Sequence, residues 1–124
     1  DTYLMQRGQG NDTIVDTDTT LGNNDIISLA SDITSDQLWF SHVGNDLKIS
    51  VMGTSDSYTV KDWYSGTSNQ VEQIKAANGK VLSNGNVEKL VQAMSTLSAP
   101  VAGTTTLPTN YQATLNPVIA ANWQ

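Results

Sequence analysis

The chain has 124 residues, of which 38% are hydrophobic, and this length suits one compact domain that folds without a metal ion. It contains no cysteine, which excludes disulfide bonds and thiolate metal sites, and no apolar run reaches the roughly 20 residues of a membrane span. The formal net charge of −6 arises in residues 1–36, where seven acidic residues face one arginine, because residues 37–124 hold five acidic residues and five lysines. Such acidity argues against nucleic acid as a partner and suits a hard cation such as Ca2+. A solvated acidic face is the alternative interpretation.

The acidic first segment repeats a short motif in which an aspartate stands two residues before a large apolar side chain. The copies are Asp1-Thr2-Tyr3, Asp12-Thr13-Ile14 and Asp25-Ile26-Ile27. Turns rich in glycine or asparagine, at residues 8–11 and 22–24, precede the second and third copies. This arrangement predicts short strands separated by turns. Because the chain starts on such a motif, without a methionine, we expect it to be part of a longer protein.

Residues 38–64 contain three runs of alternating apolar and polar residues. In the middle run Leu47, Ile49 and Val51 alternate with polar residues, so they face one side of a strand. Gly44-Asn45 separates the first two runs and favours a tight two-residue hairpin, while residues 53–56 are rich in turn formers. The pattern predicts a three-stranded antiparallel meander.

A second hairpin is predicted where Asn78-Gly79, a pair that favours a type I′ turn, separates the runs 71–76 and 80–83. We expect this hairpin to extend the sheet of the meander.

A helix is predicted over residues 86–97, where apolar side chains recur at intervals typical of one helix face. Asn84 or Asn86 is the expected N-cap residue. The helix is expected to cover the apolar face of the sheet, with packing against a partner as the alternative.

The tail changes in composition from Ser98 onward, because proline, glycine and a threonine run give residues 98–110 the character of a linker. The following stretch, with Tyr111, Leu115 and Trp123, predicts a short amphipathic helix that Pro117 interrupts. Its aromatic residues are candidates for docking on the domain.

Residues suited to catalysis are few in this sequence. The one histidine, His42, lies in a predicted strand with no identifiable nucleophile or orienting partner, and no zinc or nucleotide motif is present. We therefore predict that the chain is not an enzyme.

The aromatic residues Trp39, Trp63 and Tyr64 are candidates for stacking on sugar rings. Alternation places Trp39 on the face opposite Leu38 and Phe40, so its ring is predicted to be partly exposed. A place in the core is the alternative for each of these aromatics.

Two stretches resemble parts of a known family. Residues 8–14, GQGNDTI, resemble the calcium-binding nonapeptide repeat of RTX proteins, although the successive aspartates are 11 and 13 residues apart rather than one nonapeptide apart. Residues 38–82 resemble the haemolysin-type calcium-binding related region that follows the last repeats of many RTX-type secreted proteins of Gram-negative bacteria. The elements that carry this resemblance are Gly44-Asn45-Asp46-Leu47, Gly53-Thr54, residues 60–64 (VKDWY) and Asn78-Gly79.

The resemblance implies a secreted, extracellular chain that leaves the cell by type I secretion and folds where calcium can occupy weak sites. It implies an uncleaved C-terminal export signal, for which residues 99–124 are the candidate. The implied partners are calcium, the secretion machinery and upstream RTX repeats of the parent chain. The implied calcium ligands are oxygens of Gly8, Gly10, Asn11, Asp12, Asn23 and Asp25.

The predicted fold class is mainly β (α+β), with degenerate β-roll-like strands leading into an antiparallel sheet that one amphipathic helix covers. The predicted regions are degenerate calcium repeats at 1–31, a β-sheet domain at 32–98, and a linker with the C-terminal segment at 99–124. The predicted function is a non-catalytic C-terminal module that supports calcium-linked folding and export of its parent. The alternative is a module that binds carbohydrate or another surface through Trp39, Trp63 and Tyr64.

Overall fold

The computed structural model describes residues 2–6, 8, 10–14, 25–54, 56–66, 70–98, 100, 104 and 106–124. These residues form eight strands, two α-helices and two short 3-10 turns. In chain order they are β1 (Thr2–Met5), β2 (Asn11–Ile14), β3 (Ile26–Leu29), a 3-10 turn (Ser35–Gln37), β4 (Leu38–Val43), β5 (Asp46–Val51), β6 (Ser57–Val60), a 3-10 turn (Trp63–Ser65), β7 (Gln73–Lys75), β8 (Val81–Ser83), α1 (Asn84–Ser95) and α2 (Thr109–Asn122).

The described strands form two four-stranded sheets, and both sheets are mixed. The first sheet has the order β1-β3-β7-β8, and the second has the order β2-β6-β5-β4. In the first sheet β1, β3 and β7 are parallel and β8 is antiparallel to β7. In the second, β2 is parallel to β6. Consecutive strands β1, β2 and β3 therefore alternate between the two sheets.

The three strands of the predicted meander are present and pair antiparallel in chain order. Leu47, Ile49 and Val51 are buried while Lys48 is exposed, as the alternation of β5 predicts. The backbone φ of Gly44 is 61° and that of Asn45 is not positive, which is the pattern of a type II′ turn. The sheet is mixed rather than purely antiparallel as predicted, because β2 pairs with β6 in parallel.

The second hairpin forms as β7 and β8, but it does not extend the meander. It belongs to the other sheet, where the amide of Gln73 donates a 3.2 Å hydrogen bond to the Asp25 carbonyl at the start of β3. The turn is not type I′ either, because Gly79 has a φ of 89° but Asn78 has no positive φ. The Gly79 amide donates to the Ala76 carbonyl at 3.0 Å, which indicates a type I turn followed by a left-handed glycine.

Helix α1 packs against β4 and β8, which are the edge strands at one end of each sheet. Its buried residues are Val87, Leu90, Val91 and Met94, as the spacing predicted. The amide of Phe40 in β4 lies 3.2 Å from the Met94 sulfur and donates to it, so the helix covers a strand edge. The helix begins two residues earlier than predicted, and Ser83 rather than an asparagine occupies the N-cap position.

The tail forms helix α2, which continues through Pro117 instead of stopping there. Although proline removes one hydrogen bond of the helix, packing offsets that loss. Leu115, Ile119 and Trp123 are buried in the same apolar cluster as the two sheets, and α2 packs against α1. The Gln124 amide donates a 2.9 Å hydrogen bond to the Val81 carbonyl in β8. The expectation that Pro117 interrupts the helix was therefore wrong, and the tail docks on the sheets.

Candidate functional site

The glycine turn that precedes β2 is the part of the chain most similar to a calcium repeat. We define it by the two residues described there, Gly8 and Gly10, whose φ angles of 87° and 78° favour glycine. The Gly8 amide donates a 2.6 Å hydrogen bond to Asp56 Oδ2, and the Gly10 amide donates a 2.9 Å hydrogen bond to Asp56 Oδ1. Both glycines therefore direct their N–H groups at one carboxylate.

Two described oxygen atoms of this turn accept hydrogen bonds from Ser57 at the start of β6. The Gly10 carbonyl accepts from the Ser57 amide at 3.1 Å. The Asn11 Oδ1 atom accepts from the Ser57 hydroxyl at 2.7 Å. Two oxygens expected to bind calcium thus join the turn to β6 instead.

The loop between β5 and β6 holds Asp56 in place. The Thr54 hydroxyl donates to the Val51 carbonyl at 3.0 Å and accepts a 3.0 Å hydrogen bond from the Asp56 amide. Gly53 permits this loop by adopting a φ of 84°. Asp56 itself is only 7% exposed, so its carboxylate is largely shielded from water.

Asp12 lies in β2, opposite Tyr58 of β6, and its side chain is exposed. Burial raises the pKa of Tyr58 above its ordinary value, and the negative charge of Asp12 raises that pKa further. The Tyr58 hydroxyl donates a hydrogen bond to the Leu4 carbonyl in β1. Asp12 therefore stands beside a bond that links the two sheets.

Asp25 precedes β3 and is buried, with 2% of its surface exposed. Its amide donates to Glu72 Oε1 at 2.8 Å, and its carbonyl accepts from the amides of Glu72 and Gln73. Asp25 thus connects β3 to the segment that enters β7. Asn23, the residue predicted to accompany it, lies outside the described residues.

The described candidates for calcium ligands are distributed over the two sheets. Asp12 belongs to a strand of the second sheet, whereas Asp25 precedes a strand of the first. Within the part of the chain that the structure describes, no three acidic or histidine side chains gather into a potential metal site. The glycine turn points N–H donors, rather than carbonyl oxygens, at its bound group, whereas calcium requires oxygen ligands.

The tryptophans proposed for sugar binding are core residues. Trp39 is 5% exposed and Trp63 is 2% exposed, so the prediction of a partly exposed Trp39 was wrong. Alternation does place Trp39 on the face opposite Phe40, but α2 covers it, and the Tyr111 ring lies 6.0 Å from the Trp39 ring. These burials remove the surface on which a sugar would stack.

Tyr64 is half-buried and joins three elements. Its ring stacks on His42 with 3.6 Å between ring centroids, and its hydroxyl donates to Glu88 Oε1 of α1 at 3.0 Å. Burial is the main cause that raises the pKa of Tyr64, and the hydrogen bond and charge of Glu88 raise it further. The side chain that sequence reasoning assigned to a ligand is thus engaged inside the fold.

Two sequence elements of the family resemblance, the Gly44-Asn45-Asp46-Leu47 turn and residues 60–64, meet in space. Asp46 Oδ1 accepts a 2.8 Å hydrogen bond from the Asp62 amide, and the Asn45 carbonyl accepts one of 3.0 Å from the Tyr64 amide. Asp62 adopts a left-handed conformation with a φ of 58°. These residues hold the first hairpin against the 3-10 turn and act as a structural joint.

Sequence reasoning missed Asp56, which it treated only as part of a turn. Its two partners lie 48 and 46 residues away in the sequence, so no local spacing reveals the contact. The Gly53-Thr54 pair before it was a usable signal, because it predicts an ordered turn.

A cleft of about 530 Å³ lies beside Asp56 on the second sheet. Its lining residues include Trp39, Lys48, Ser50, Asp56 and Thr104. Among the described helices, none is long and apolar enough to cross a membrane.

Comparison with known proteins relates the chain to a domain family and to a longer bacterial protein. Residues 46–85, which run from β5 into the start of α1, match the haemolysin-type calcium binding protein related domain, so the predicted resemblance is confirmed there. This family is described by calcium binding and not by an enzyme activity. Over 94 residues the chain is 36% identical to the iron-regulated protein FrpA of Neisseria meningitidis serogroup C, a match that spans 73% of this chain but 8% of FrpA. The chain thus corresponds to a small part of that relative's length.

Proposed function

We propose that this chain is a non-catalytic C-terminal module of a secreted RTX-like protein, a proposal supported by the match of residues 46–85 to the haemolysin-type calcium binding protein related domain. In this role the module ends a stack of upstream repeats and supports folding and export of the parent outside a Gram-negative cell. The similarity to FrpA, a bacterial protein far longer than the matched stretch, supports a place within a long parent chain.

The observation that carries this proposal is the position of β1 and β2 at the ends of their sheets. β1 pairs in parallel with β3, and β2 pairs in parallel with β6. On their outer sides the described part of the chain supplies no further strand. A bare strand edge is a template for pairing. A preceding strand-turn-strand unit would add one parallel strand to each sheet and continue their alternation.

The opposite side of the molecule is closed. Helix α1 packs against β4 and β8, the strands that end the two sheets on that side. A stack of repeats needs such a terminal unit, because its last repeat otherwise exposes an unpaired and partly apolar surface. One open side and one closed side are the features of a C-terminal cap.

Calcium belongs to this proposal as the cation of the parent's repeats. Asp12 stands on β2, at the open side, where an adjoining unit could supply the further oxygens that an ion requires. Asp12, Asn23 and Asp25 remain the predicted ligands of this chain. Ions that bind only the folded form would stabilise it by mass action.

The cap can be tested at Thr13, whose backbone faces the open side. The carbonyls of Gly10 and Ile14 accept from the amides of Ser57 in β6 and of Lys61 directly after it, at 3.1 and 2.9 Å, so alternation along β2 directs the N–H of Thr13 outward. Thr13→Pro removes that donor, and an edge strand tolerates proline at such a position. Thr13→Ala keeps the donor and is the matched control.

The measurement is calorimetry, in calcium, of upstream repeats joined to this chain, compared with each part alone. We expect one transition above the melting temperature of the repeats alone, lowered by Thr13→Pro and unchanged by Thr13→Ala. Two transitions at the temperatures of the separate parts would contradict the proposed cap.

Export is tested separately, through residues 99–124. We expect deletion of this segment from the parent to abolish its appearance in the medium while the protein accumulates in the cell. Undiminished export of the truncated parent would refute the assignment of the segment as a signal and leave the cap intact.

A further inference from the structure

The contact between Asp56 and the glycine turn joins two parts of the chain that no local signal connects. Each carboxylate oxygen of Asp56 accepts from one glycine, at 2.6 Å from the Gly8 amide and at 2.9 Å from the Gly10 amide. Hydrogen bonds to an ionised acceptor are roughly twice as strong as neutral ones. Because Asp56 is largely buried, water competes little for these bonds.

The polarity of this contact is opposite to that of a calcium site. Successive backbone amides that converge on one point form a concavity that binds anions. A cation in that position would face the positive ends of two N–H groups. The turn oxygens that could reverse this polarity, the Gly10 carbonyl and Asn11 Oδ1, accept from Ser57 instead.

We propose that the Asp56 carboxylate closes the glycine turn in place of a metal ion, so that this turn is ordered without calcium. The turn keeps the glycine spacing of a calcium repeat, and an internal anion from the β5–β6 loop holds it. This inference goes beyond the proposed capping function and does not depend on it.

Hydrogen bonds within the β5–β6 loop hold Asp56 in the position that this contact requires. The Asp56 amide donates to the Thr54 hydroxyl, and that hydroxyl donates to the Val51 carbonyl. The Asp56 carbonyl accepts from the Val51 amide at 3.0 Å. Thr54 is therefore a positioning residue that orients the carboxylate before it meets the glycines.

The contact of Asp56 with Gly8 and Gly10, which we call the clamp, fixes the start of β2 as well as the turn. The amide of Ser57, directly after Asp56, donates to the Gly10 carbonyl, and that bond begins the parallel pairing of β2 with β6. Asp56 and Ser57 thus bind the same turn through its donors and its acceptor. Together, Asp56 and Ser57 therefore help to set the register in which β2 pairs with β6.

The test is amide hydrogen exchange of Gly8 and Gly10, followed by NMR in the whole chain, with a calcium chelator and then with millimolar calcium. We expect both amides to be protected in the chelator and their chemical shifts to stay constant when calcium is added. Asp56→Asn keeps the size of the side chain but removes its charge, so exchange at both glycines should become faster on the order of tenfold.

Asp12→Asn is the matched control, because it removes the charge of an exposed aspartate in β2, close in sequence to the glycine turn, and Asp12 is one of the predicted calcium ligands. It should leave the protection of Gly8 and Gly10 unchanged. If Asp56→Asn does not fold, Thr54→Val takes its place, with faster exchange at the same two amides as the expected result. Unprotected glycine amides in the chelator that become protected in calcium, with Asp12→Asn abolishing that gain, would overturn the proposal.

A response to calcium elsewhere in the chain, with Gly8 and Gly10 protected throughout, supports the clamp. The clamp and the cap are therefore distinguished, because the exchange experiment uses this chain alone and the stacking experiment needs upstream repeats.

Discussion

The hydroxyl of Tyr64 donates a 3.0 Å hydrogen bond to Glu88 Oε1 and so ties the segment after β6 to helix α1. The same ring stacks on His42 at the end of β4. One side chain thereby connects the helix that closes the two sheets to the joint beneath the first hairpin.

This contact predicts a loss of stability in alkaline solution. The pKa of Tyr64 is raised above its ordinary value of 10.0, first by burial and then by Glu88, so the unfolded state releases the proton at lower pH than the folded state. Stability from this group is complete below pH 10 and falls as the pH rises above it. Urea denaturation across this range should show a smaller decline in Tyr64→Phe. The pKa of Tyr58 is raised as well, but Tyr58 is present in both proteins, so its contribution cancels in the comparison. An identical decline in both proteins would therefore contradict the assignment to Tyr64.

The joint formed by Asp46 predicts that its carboxylate stabilises the left-handed turn at Asp62. Asp46→Ala leaves the Asp62 amide without its acceptor and should lower the free energy of unfolding by about 1–3 kcal/mol. Asp46→Asn retains a side-chain oxygen and should cost less. Urea denaturation measures both, and equal losses would show that the negative charge of Asp46, rather than the oxygen acceptor alone, matters here.

Replacement by alanine of two glycines with open space around them should change the free energy of unfolding in opposite directions. Gly79 has a φ of 89° with no atom within 4 Å of an added Cβ, so the cost of Gly79→Ala is backbone strain of about 1–2 kcal/mol. Gly85 also has open space but lies in α1 without a positive φ. Gly85→Ala should raise the free energy of unfolding by about 0.5–1 kcal/mol. Thermal unfolding of both variants checks these signs, and destabilisation by Gly85→Ala would argue against the helical start of α1.

Trp123 predicts how strongly the tail helix is held. It is 2% exposed, and Trp123→Ala should cost about 3–5 kcal/mol through the cavity that it leaves. Its indole nitrogen is buried with no hydrogen-bond partner among the described residues. Trp123→Phe removes that unpaired donor and should cost clearly less than alanine. Circular dichroism during urea unfolding measures both, and a negligible effect of Trp123→Ala would mean that α2 does not depend on this anchor.

Several elements could be predicted from local sequence because their signals are local. The alternation around Leu47 predicted β5, the spacing of Leu90 and Met94 predicted one buried face of α1, and Gly44-Asn45 predicted a tight turn. The continuity of α2 through Pro117 could not be predicted, because it depends on packing against α1 that overrides the local cost of proline. The burial of Trp39 also depends on α2, which follows it by about seventy residues in the sequence.

The sequence by itself determined the periodicity of each strand and helix, the positions of the turns and the family resemblance, because these depend on residues within a few positions of one another. Only the tertiary structure decided that the second hairpin joins β3 instead of the meander, and that Asp56 meets Gly8 and Gly10. Both contacts join segments that are far apart in the sequence. They form only when the rest of the fold brings those segments together. The acidic glycine turn therefore reads locally as a cation site, although in the folded chain its amides bind a carboxylate.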